Sequence, residues 1–259
     1  MVKLSVVVIT LNEEKSIADC LECLSWADEI VVLDSISSDR TVEIANQYTD
    51  NVFVEEWHGQ GAHKNRAAEL AQGPWIFSID ADERVMPELA EEIRRVTINS
   101  SFRAYAMRRK NIYRGQWIRF GGWWPEWITR LFIKGEAQFN NRIIHDALQV
   151  EPPVGKLTNP LLHHSYRAAE EFMERDYRYS VHTAREMYRE GRRATLWTAV
   201  SHSLFTLLQF YILRLGFLEG GAGVLIAVSR FTGCFYRYMI LRELSIRRPN
   251  ADAENHVKK

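Results

Sequence analysis

Apolar residues along the first eighty positions fall into short continuous runs separated by amphipathic segments. Four runs rich in β-branched and aromatic residues predict strands: Leu4 to Thr10, Glu29 to Asp34, Val52 to Glu56 and Trp75 to Ile79. The first of them, a continuous β-branched run, suits a strand covered on both faces. The intervening segments predict helices from Asn12 to about Ser25, Thr41 to Tyr48 and Asn65 to Ala71. Helices of this length between strands imply right-handed crossovers. The pattern therefore predicts an α/β fold with a mostly parallel sheet and helices on both faces.

The pattern changes beyond residue 165. Ala169 to Gly191 predicts a helix crowded with Arg and Tyr, and Ala194 to Leu213 carries no formal charge over 20 residues. Its length is near the ~20 residues that span a bilayer. Its Thr, Ser, His and Gln side chains nevertheless favour a helix lying in the plane of a membrane surface. Gly216 to Leu241 repeats this composition after a glycine-rich break.

The overall composition is balanced in charge, but one segment of the chain is not. Lys plus Arg equals Asp plus Glu at 33 each, so no nucleic-acid partner is indicated. Residues 185–248, however, contain ten Arg, no Lys and four Glu, which suits an anionic lipid surface. The alternative is a helical cap that packs on the rest of the chain or on a second subunit.

Three cysteines without a second Cys-x-x-Cys pair predict reduced thiols, and the N-terminus lacks a signal-peptide pattern.

Acidic residues follow the fourth predicted strand as Asp80-Ala81-Asp82-Glu83. Carboxylates one residue apart repel each other, and a bound divalent metal relieves that repulsion, with a phosphate ligand completing its oxygen shell. A solvated pair of loop acids is the alternative. The other predicted strands also end in polar residues, and in an open α/β fold these share the ligand-binding edge of the sheet. Helix caps and turns could account for some of them.

Four motifs carry a family resemblance: Val6 to Glu14, Val32 to Thr41, Lys64-Asn65-Arg66 and Asp80 to Glu83. In order and spacing they resemble family 2 nucleotide-sugar glycosyltransferases over about the first 150 residues. The resemblance implies a GT-A fold, in which a nucleotide-binding α/β half lies beside an acceptor half. The family more often has Pro or another small residue where Ile9 and Thr10 stand, and commonly has Arg in place of Lys64.

The resemblance also implies roles for individual residues. Thr10, Leu11 and Glu13 border the nucleoside, and Asp34 accepts a hydrogen bond from the uracil N3–H. Lys64 neutralises the diphosphate, Asp80 meets the ribose or the metal, and Asp82 holds Mg²⁺ or Mn²⁺. His145 is a further candidate metal ligand, or it orients the acid that follows it.

Such an enzyme inverts the anomeric centre in a single displacement, for which a carboxylate deprotonates the acceptor hydroxyl. The candidates for this base are Asp146 and Glu126, of which Asp146 is favoured. The segment between Trp117 and Phe132 is unusually aromatic, and aromatic faces stack on the apolar faces of sugar rings. Packing at the edge of a core is the alternative for Trp117 and Trp127. Trp123 and Trp124 are adjacent and follow a glycine pair, so they cannot easily both be core, and they are the predicted acceptor-site residues, of which at least one should line a cleft.

The segment from Phe210 to Gly220 resembles the branch of the family that builds the lipopolysaccharide inner core by adding a β-1,4-glucose to heptose. This implies transfer of a hexose from UDP-glucose or a similar donor to a lipid-anchored saccharide. The enzyme is then expected in the cytoplasm, peripherally associated with the inner membrane. Another cell-surface glycan or lipid carrier as acceptor, or a non-catalytic protein that binds nucleotide sugars at a membrane, are the alternatives. No Gly-rich phosphate loop follows the first strand, which disfavours a nucleotidyltransferase or a dehydrogenase.

The predicted domains follow from these assignments. A GT-A catalytic domain covers residues 1–165, with a nucleotide-sugar half over about 1–100 and an acceptor half over about 101–165. A helical, membrane-associating region covers 166–248, and a polar disordered tail covers 249–259. The sequence carries no signal for an oligomeric state.

Overall fold

The structure is a computed structural model that describes residues 3–140, 147–166 and 168–246. The chain divides into two compact units. The first comprises Met1–Ile112 and Trp124–Ser165, and the second comprises Tyr113–Trp123 and Tyr166–Lys259. The segment Tyr113–Trp123 thus groups with the C-terminal helices, whereas the domain boundary predicted at residue 165 assigned it to the catalytic domain.

The first unit alternates strands and helices up to α4 and then continues mainly as strands. Its elements in chain order, with the short strand β7 of the other unit interposed, are β1 Leu4–Thr10, α1 Ile17–Glu22, β2 Glu29–Asp34, α2 Thr41–Ala45, β3 Val52–Val54, α3 Gln60–Leu70, β4 Trp75–Asp80, β5 Glu83–Arg84, α4 Pro87–Ile98, β6 Ala104–Tyr113, β7 Gln116–Trp117, β8 Glu126–Ile133, β9 Ala137–Phe139, β10 Leu148–Val150, β11 Gly155–Lys156 and β12 Leu161–Tyr166.

The main sheet has the strand order β3-β2-β1-β4-β8-β6-β12-β5. The pairs β1–β2, β1–β4 and β2–β3 are parallel, whereas β4–β8, β6–β8 and β5–β12 are antiparallel. Strands β9 and β10 form a separate antiparallel pair. The α/β architecture predicted from the sequence is confirmed, with the parallel half built by the four predicted strands.

Burial explains why the first strands were predictable. Val6, Val7 and Val8 are fully buried because one face of β1 packs on α1 and the other on α3. Full burial of one such side chain contributes about 1.5–3 kcal/mol. Strands β1 and β2 accordingly have the predicted bounds.

Backbone conformation shifts the starts of two helices. Asn12 has a positive φ of 55°, and α1 begins only at Ile17. Gly59 has a φ of 108°, which favours glycine, and α3 begins directly after it at Gln60 rather than at the predicted Asn65.

The second unit is helical, and its predicted helices are present. Its elements are β7, α5 Ala169–Arg189, α6 Leu196–Leu208, a π-helical turn Gln209–Leu213, a 3₁₀ turn Gly216–Glu219 and α7 Gly221–Ile246. Helix α7 packs against both α5 and α6 through a core that includes Ala184, Ala199, Cys234, Tyr238 and Leu241.

A buried carboxylate fixes the loop that follows β7. Glu219 Oε1 accepts hydrogen bonds from the backbone N–H groups of Arg119 (2.6 Å) and Phe120 (2.8 Å). Its Oε2 accepts from Gln116 Nε2 at 2.8 Å, and the Gly121 N–H donates to the carbonyl of Arg214 at 2.8 Å. The loop is therefore attached to the turn between α6 and α7 mainly through its own main chain.

Candidate active site

The carboxyl ends of β1 and β2 are joined by a fully buried carboxylate. Asp34 Oδ2 accepts hydrogen bonds from Thr10 Oγ1 (2.8 Å) and Ser37 Oγ (2.5 Å), and Oδ1 accepts from the Ser37 N–H at 2.7 Å. Asp34 thus orders the turn after β2 and has no exposed surface in this conformation. Its predicted contact with uracil stays a prediction, and such a contact would require the turn to open.

The loops after β1 and β2 also bond directly to each other. The Asn12 N–H donates to Ser37 Oγ at 2.8 Å, and Asn12 Oδ1 accepts from the Ser38 N–H at 2.9 Å. The Glu13 N–H donates to Thr41 Oγ1 at 2.7 Å. Leu11, by contrast, is exposed beside this polar network. The predicted nucleoside-binding residues Thr10, Leu11 and Glu13 therefore lie together at one edge of the sheet.

Asp80, at the end of β4, lies between two cations. Its Oδ1 is 2.9 Å from Lys64 Nζ on α3, and its Oδ2 accepts a hydrogen bond from Arg130 Nη2 on β8 at 2.6 Å. Burial opposes ionisation of Asp80, but Arg130 and Lys64 outweigh it and hold the pKa of this carboxyl well below its usual range. Asp80 therefore joins α3 and β8 through Lys64 and Arg130.

Glu83 lies in the same cluster. Its Oε2 accepts from the Asp80 N–H at 2.9 Å, while its Oε1 is 3.6 Å from Arg130 Nη2 and 3.7 Å from Arg109 Nη1. Glu83 is fully buried, and burial raises its pKa despite the nearby Arg130. Arg130 thus lies between Asp80 and Glu83, while Arg109 lies between Glu83 and Glu126.

Asp82 faces a histidine on a distant strand. His163 Nε2 lies 3.1 Å from Asp82 Oδ2, because β5 pairs with β12 in a register that places His163 opposite Glu83. His163 Nδ1 lies 2.6 Å from Asn111 Oδ1, which also accepts from Ser165 Oγ at 3.1 Å. Asp82 is partly exposed, whereas His163 is buried.

Glu126, one of the two predicted bases, is held by two neighbours on β6. Arg109 donates to both of its oxygens, from Nε at 3.0 Å and Nη2 at 2.6 Å, and Asn111 Nδ2 donates to Oε2 at 3.0 Å. Burial disfavours the charged form, but these donors keep the pKa of Glu126 below its ordinary value. A carboxylate so stabilised is a weak base, and this arrangement favours a positioning role.

The remaining predicted residues differ in what the structure shows of them. His145 and Asp146 lie outside the described residues. Trp123 is buried in the second unit, where its ring stacks on Phe172 with centroids 6.1 Å apart, so its indole packs in a core rather than lining a cleft. Trp124 is half-buried in the first unit, with the Arg108 guanidinium 5.0 Å from the centroid of its ring.

The donor set around Asp82 fits a divalent cation. Asp82 offers a hard carboxylate oxygen, and the adjacent His163 Nε2 offers a nitrogen that Mn²⁺ accepts. Over the three described ranges of the chain, no cluster of three or more His, Cys, Asp or Glu side chains is arranged to hold a metal ion. Two protein ligands suffice where substrate phosphates complete the shell, as is usual for Mg²⁺ at nucleotides.

Comparison with known proteins decides the family. The family model described as Glycosyl transferase family 2 matches residues 5–149, more than half of the chain. The chain belongs to glycosyl transferase family 2. The resemblance read from its motifs is thereby confirmed, and the mixed sheet agrees with the GT-A fold that the resemblance implied.

Relatives of this glycosyltransferase match nearly its whole length. An uncharacterized glycosyltransferase of Rickettsia typhi is 29% identical over 99% of this chain and 92% of its own. The lipopolysaccharide core biosynthesis glycosyltransferase LpsC of Rhizobium meliloti is 29% identical over 96% of each chain. Among solved structures, S. aureus TarS is similar with a TM-score of 0.49 and 19% identity, over 70% of this chain and 39% of TarS.

Several residues that complete the site of this glycosyltransferase were not predicted from its sequence. These residues lie on β6, β8 and β12: Arg109, Asn111, Arg130, His163 and Ser165. The sequence does contain one signal for some of these residues. Arg109 and Asn111 are two positions apart, as are His163 and Ser165, so each pair shares one face of a strand. Paired polar residues at this spacing inside a buried strand indicate an internal network.

Proposed function

We propose that this glycosyltransferase moves a hexose, glucose being the best candidate, from a UDP-sugar to a lipid-anchored saccharide with inversion at the anomeric carbon. One observation supports this proposal above all. Two cations and three further groups lie together at one edge of the sheet: Lys64, Arg130, Asp80, Asp82 and His163. Cations beside acids suit a ligand that brings both a diphosphate and a divalent metal. The edge is also where α/β folds bind nucleotides.

The proposed step is a single displacement. The acceptor hydroxyl oxygen attacks the anomeric carbon, its proton passes to a carboxylate, and the bond from that carbon to the diphosphate oxygen breaks to release UDP. An α-linked donor therefore yields a β-linked product. Mg²⁺ or Mn²⁺ held by Asp82 and His163, with His145 as a further candidate, would offset the charge of the leaving diphosphate.

The proposed base is Asp146, as the resemblance implied. Glu126, the other candidate, already receives hydrogen bonds on both oxygens from Arg109 and Asn111. We assign it to holding Asn111, and through Asn111 to orienting His163 beside Asp82. Trp124 remains the candidate for a contact with the acceptor sugar.

The proposed acceptor is a lipid-linked saccharide, such as the heptose of the lipopolysaccharide inner core. LpsC, which matches this chain over 96% of both lengths, is described as a lipopolysaccharide core biosynthesis enzyme. In addition, α6 with its π-helical turn (Leu196–Leu213) and α7 (Gly221–Ile246) are long and apolar enough to cross a membrane by length and composition. Arg230 and Arg237 in the middle of α7 favour an orientation in the plane of the inner-membrane surface, with the first unit in the cytoplasm.

Calorimetric titration of UDP, with and without Mn²⁺, tests the donor and metal assignment. For the wild-type protein we expect Mn²⁺ to tighten UDP binding, and we expect Asp82→Asn to abolish that gain. Asp50→Asn, which changes an exposed acid in the turn before β3, is the matched control and should retain the gain. Absence of UDP binding in both conditions would refute the proposed donor, and binding that is equally tight without Mn²⁺ would refute the metal.

Product analysis tests the stereochemistry. With UDP-glucose and a truncated lipopolysaccharide acceptor, we expect a β-linked glucoside, identified by the coupling constant of its anomeric proton. An α-linked product would refute inversion.

A further inference from the structure

The loop between β3 and α3 is fixed at both ends. At its start the Glu55 N–H donates to the Asp34 carbonyl at 3.0 Å, and the Glu55 carboxylate pairs with Arg66 Nη2 of α3 at 3.0 Å. At its end the Gly59 carbonyl accepts from the His63 N–H at 2.9 Å, in the first turn of α3. A loop so attached holds its side chains in defined positions at the carboxyl edge of the sheet.

Trp57 occupies the middle of this loop with 46% of its surface exposed. Its ring lies 5.1 Å from the His63 ring, at an angle of 49° between the two planes. His63 is buried, and its Nε2 lies 2.9 Å from Ser35 Oγ at the end of β2. Burial lowers the pKa of His63, which favours the neutral form of the imidazole. The indole is therefore supported from one side while much of its surface is open to solvent.

Two further apolar side chains are exposed along the same edge. Leu11 follows β1 and Ile36 follows β2, as Trp57 follows β3, and these three strands are neighbours in the sheet. Exposed apolar residues that sit beside hydrogen-bonding groups such as Ser35 suit a flat ligand with a polar rim. A nucleobase has this character.

Trp57 also lies on the side of Lys64 where the base is expected if the diphosphate of a nucleotide binds near Lys64 and the metal site. His63, which supports the indole, is followed on α3 by Lys64, whose ammonium meets Asp80 at the metal-binding end of the edge. Asp34, the residue predicted to read the base, is fully buried and already accepts three hydrogen bonds. The nucleoside end of the edge therefore offers Trp57 as its exposed aromatic surface.

We propose that Trp57 stacks on the nucleobase of the nucleotide-sugar donor, with His63 and Ser35 as the residues that position it. The inference rests on the proposed function, because it assumes that this edge binds a nucleoside diphosphate. It adds a donor-binding residue that none of the four sequence motifs contains.

Titration of three ligands in the presence of Mn²⁺ separates this inference from the proposed function. The ligands are UDP, uridine and inorganic pyrophosphate, and the proteins are wild type, Trp57→Ala, Trp57→Phe and Tyr48→Ala. Stacking of a base on an aromatic ring corresponds to roughly five- to a hundredfold in affinity. We expect Trp57→Ala to weaken UDP and uridine by a factor in that range and to leave pyrophosphate unchanged.

The two other variants serve as controls. Trp57→Phe keeps an aromatic face and should lose at most about threefold. Tyr48→Ala removes an exposed aromatic residue just after α2 and should bind all three ligands as wild type does. Unchanged UDP affinity in Trp57→Ala would overturn the stacking role while leaving the proposed function standing, as would an equal loss for pyrophosphate. If wild type binds pyrophosphate but neither UDP nor uridine, both the stacking role and the proposed donor fail.

Discussion

Both oxygens of the Glu126 carboxylate accept hydrogen bonds from donors on β6, and for this reason we propose Asp146 rather than Glu126 as the base. A group that acts by orienting a neighbour has a smaller effect on rate than the group that takes the proton. Losses of about 10–100-fold are usual for outer-shell partners, against about 10²–10⁴-fold for a general base.

We therefore expect Glu126→Gln to lower kcat by about tenfold and to keep the acidic limb of the pH–rate profile. Asp146→Asn is expected to lower kcat by about 10³-fold and to remove that limb. Steady-state kinetics with UDP-glucose from pH 5 to 9 measures both. The roles would be reversed if Glu126→Gln abolished the acidic limb.

Arg130 is the other residue whose environment has a clear energetic consequence. It lies within 2.6 Å of Asp80 and 3.6 Å of Glu83, and its side chain is almost completely buried. Removal of one member of a buried ion pair leaves an uncompensated charge, which commonly costs 3–5 kcal/mol. The remaining cations Lys64 and Arg109 reduce that cost.

Arg130→Met should accordingly lower the free energy of unfolding by about 3 kcal/mol, measured by urea denaturation without nucleotide. Arg103→Met, which breaks the exposed pair with Glu136, is the matched control and should change it by less than about 1 kcal/mol. Equal effects of the two substitutions would show that the buried cluster contributes no more than a surface pair.

At the scale of elements, α6 presents apolar side chains to solvent at helical spacing. Trp197, Leu204, Leu208 and Ile212 lie within the 18-residue segment Leu196–Leu213, of which only 11% is buried. Arg192 and Arg193 precede this segment and Arg214 follows it, so cationic groups flank the apolar stretch. This arrangement suits the interface of an anionic bilayer.

We expect Leu204→Glu to reduce binding to phosphatidylglycerol vesicles at least tenfold in a flotation assay, because a carboxylate at this face opposes both apolar insertion and the anionic surface. Ile98→Glu, at an isoleucine that ends α4 and is more exposed than Leu204, is the control and should bind as wild type does. Unaltered flotation of Leu204→Glu would place the membrane contact elsewhere.

The individual strands also show where prediction from the sequence succeeded and where it failed. Strands β1 and β2 were predicted with their observed bounds because both faces of each are buried, which leaves an unbroken apolar run. Strand β6 was not predicted, since Arg108, Arg109, Lys110 and Asn111 interrupt its apolar pattern. The side chains of Arg109 and Asn111 have partners on β8 and β12, and pairings with strands later in the sequence leave no local signal.

The residues of the candidate site also fall into two groups, those that a local motif identifies and those that only the fold brings together. Asp80, Asp82 and Lys64 belong to local motifs and were identified from them. His163 meets Asp82 only because β12 pairs with β5, 81 positions earlier in the chain. The packing of Trp123 against Phe172 likewise depends on a helix some fifty positions later, so the loop sequence alone could not distinguish an acceptor contact from a core contact.

For the molecule as a whole, two histidines contribute to the pH dependence of stability, the buried His63 and the more exposed His164. Burial lowers the pKa of both His63 and His164 below the usual 6.5. Between the folded-state pKa and 6.5 the unfolded chain binds more protons than the folded protein, so stability rises with pH across this window. It is fully present above pH 6.5 and is lost progressively as the pH falls below that value.

The free energy of unfolding should therefore be lower at pH 5.5 than at pH 7.0 in urea denaturation of the nucleotide-free protein. Near His63, Glu55 and Asp34 favour the protonated ring while His58 opposes it, and burial remains the largest effect. His63→Gln should reduce the difference between the two pH values. A difference as large in His63→Gln as in wild type would assign the effect to other groups.

The hydrogen bonds of Glu219 determine which positions of its loop are free to change during evolution. Two of its three hydrogen-bond donors are main-chain N–H groups, at positions 119 and 120, and any residue except proline supplies those groups. Substitutions at these two positions can therefore alter the loop surface without loosening its attachment, whereas Glu219 itself has little freedom to change. Libraries that randomise residues 119 and 120 while keeping Glu219 should therefore yield mostly folded proteins, whereas libraries that randomise residue 219 should not.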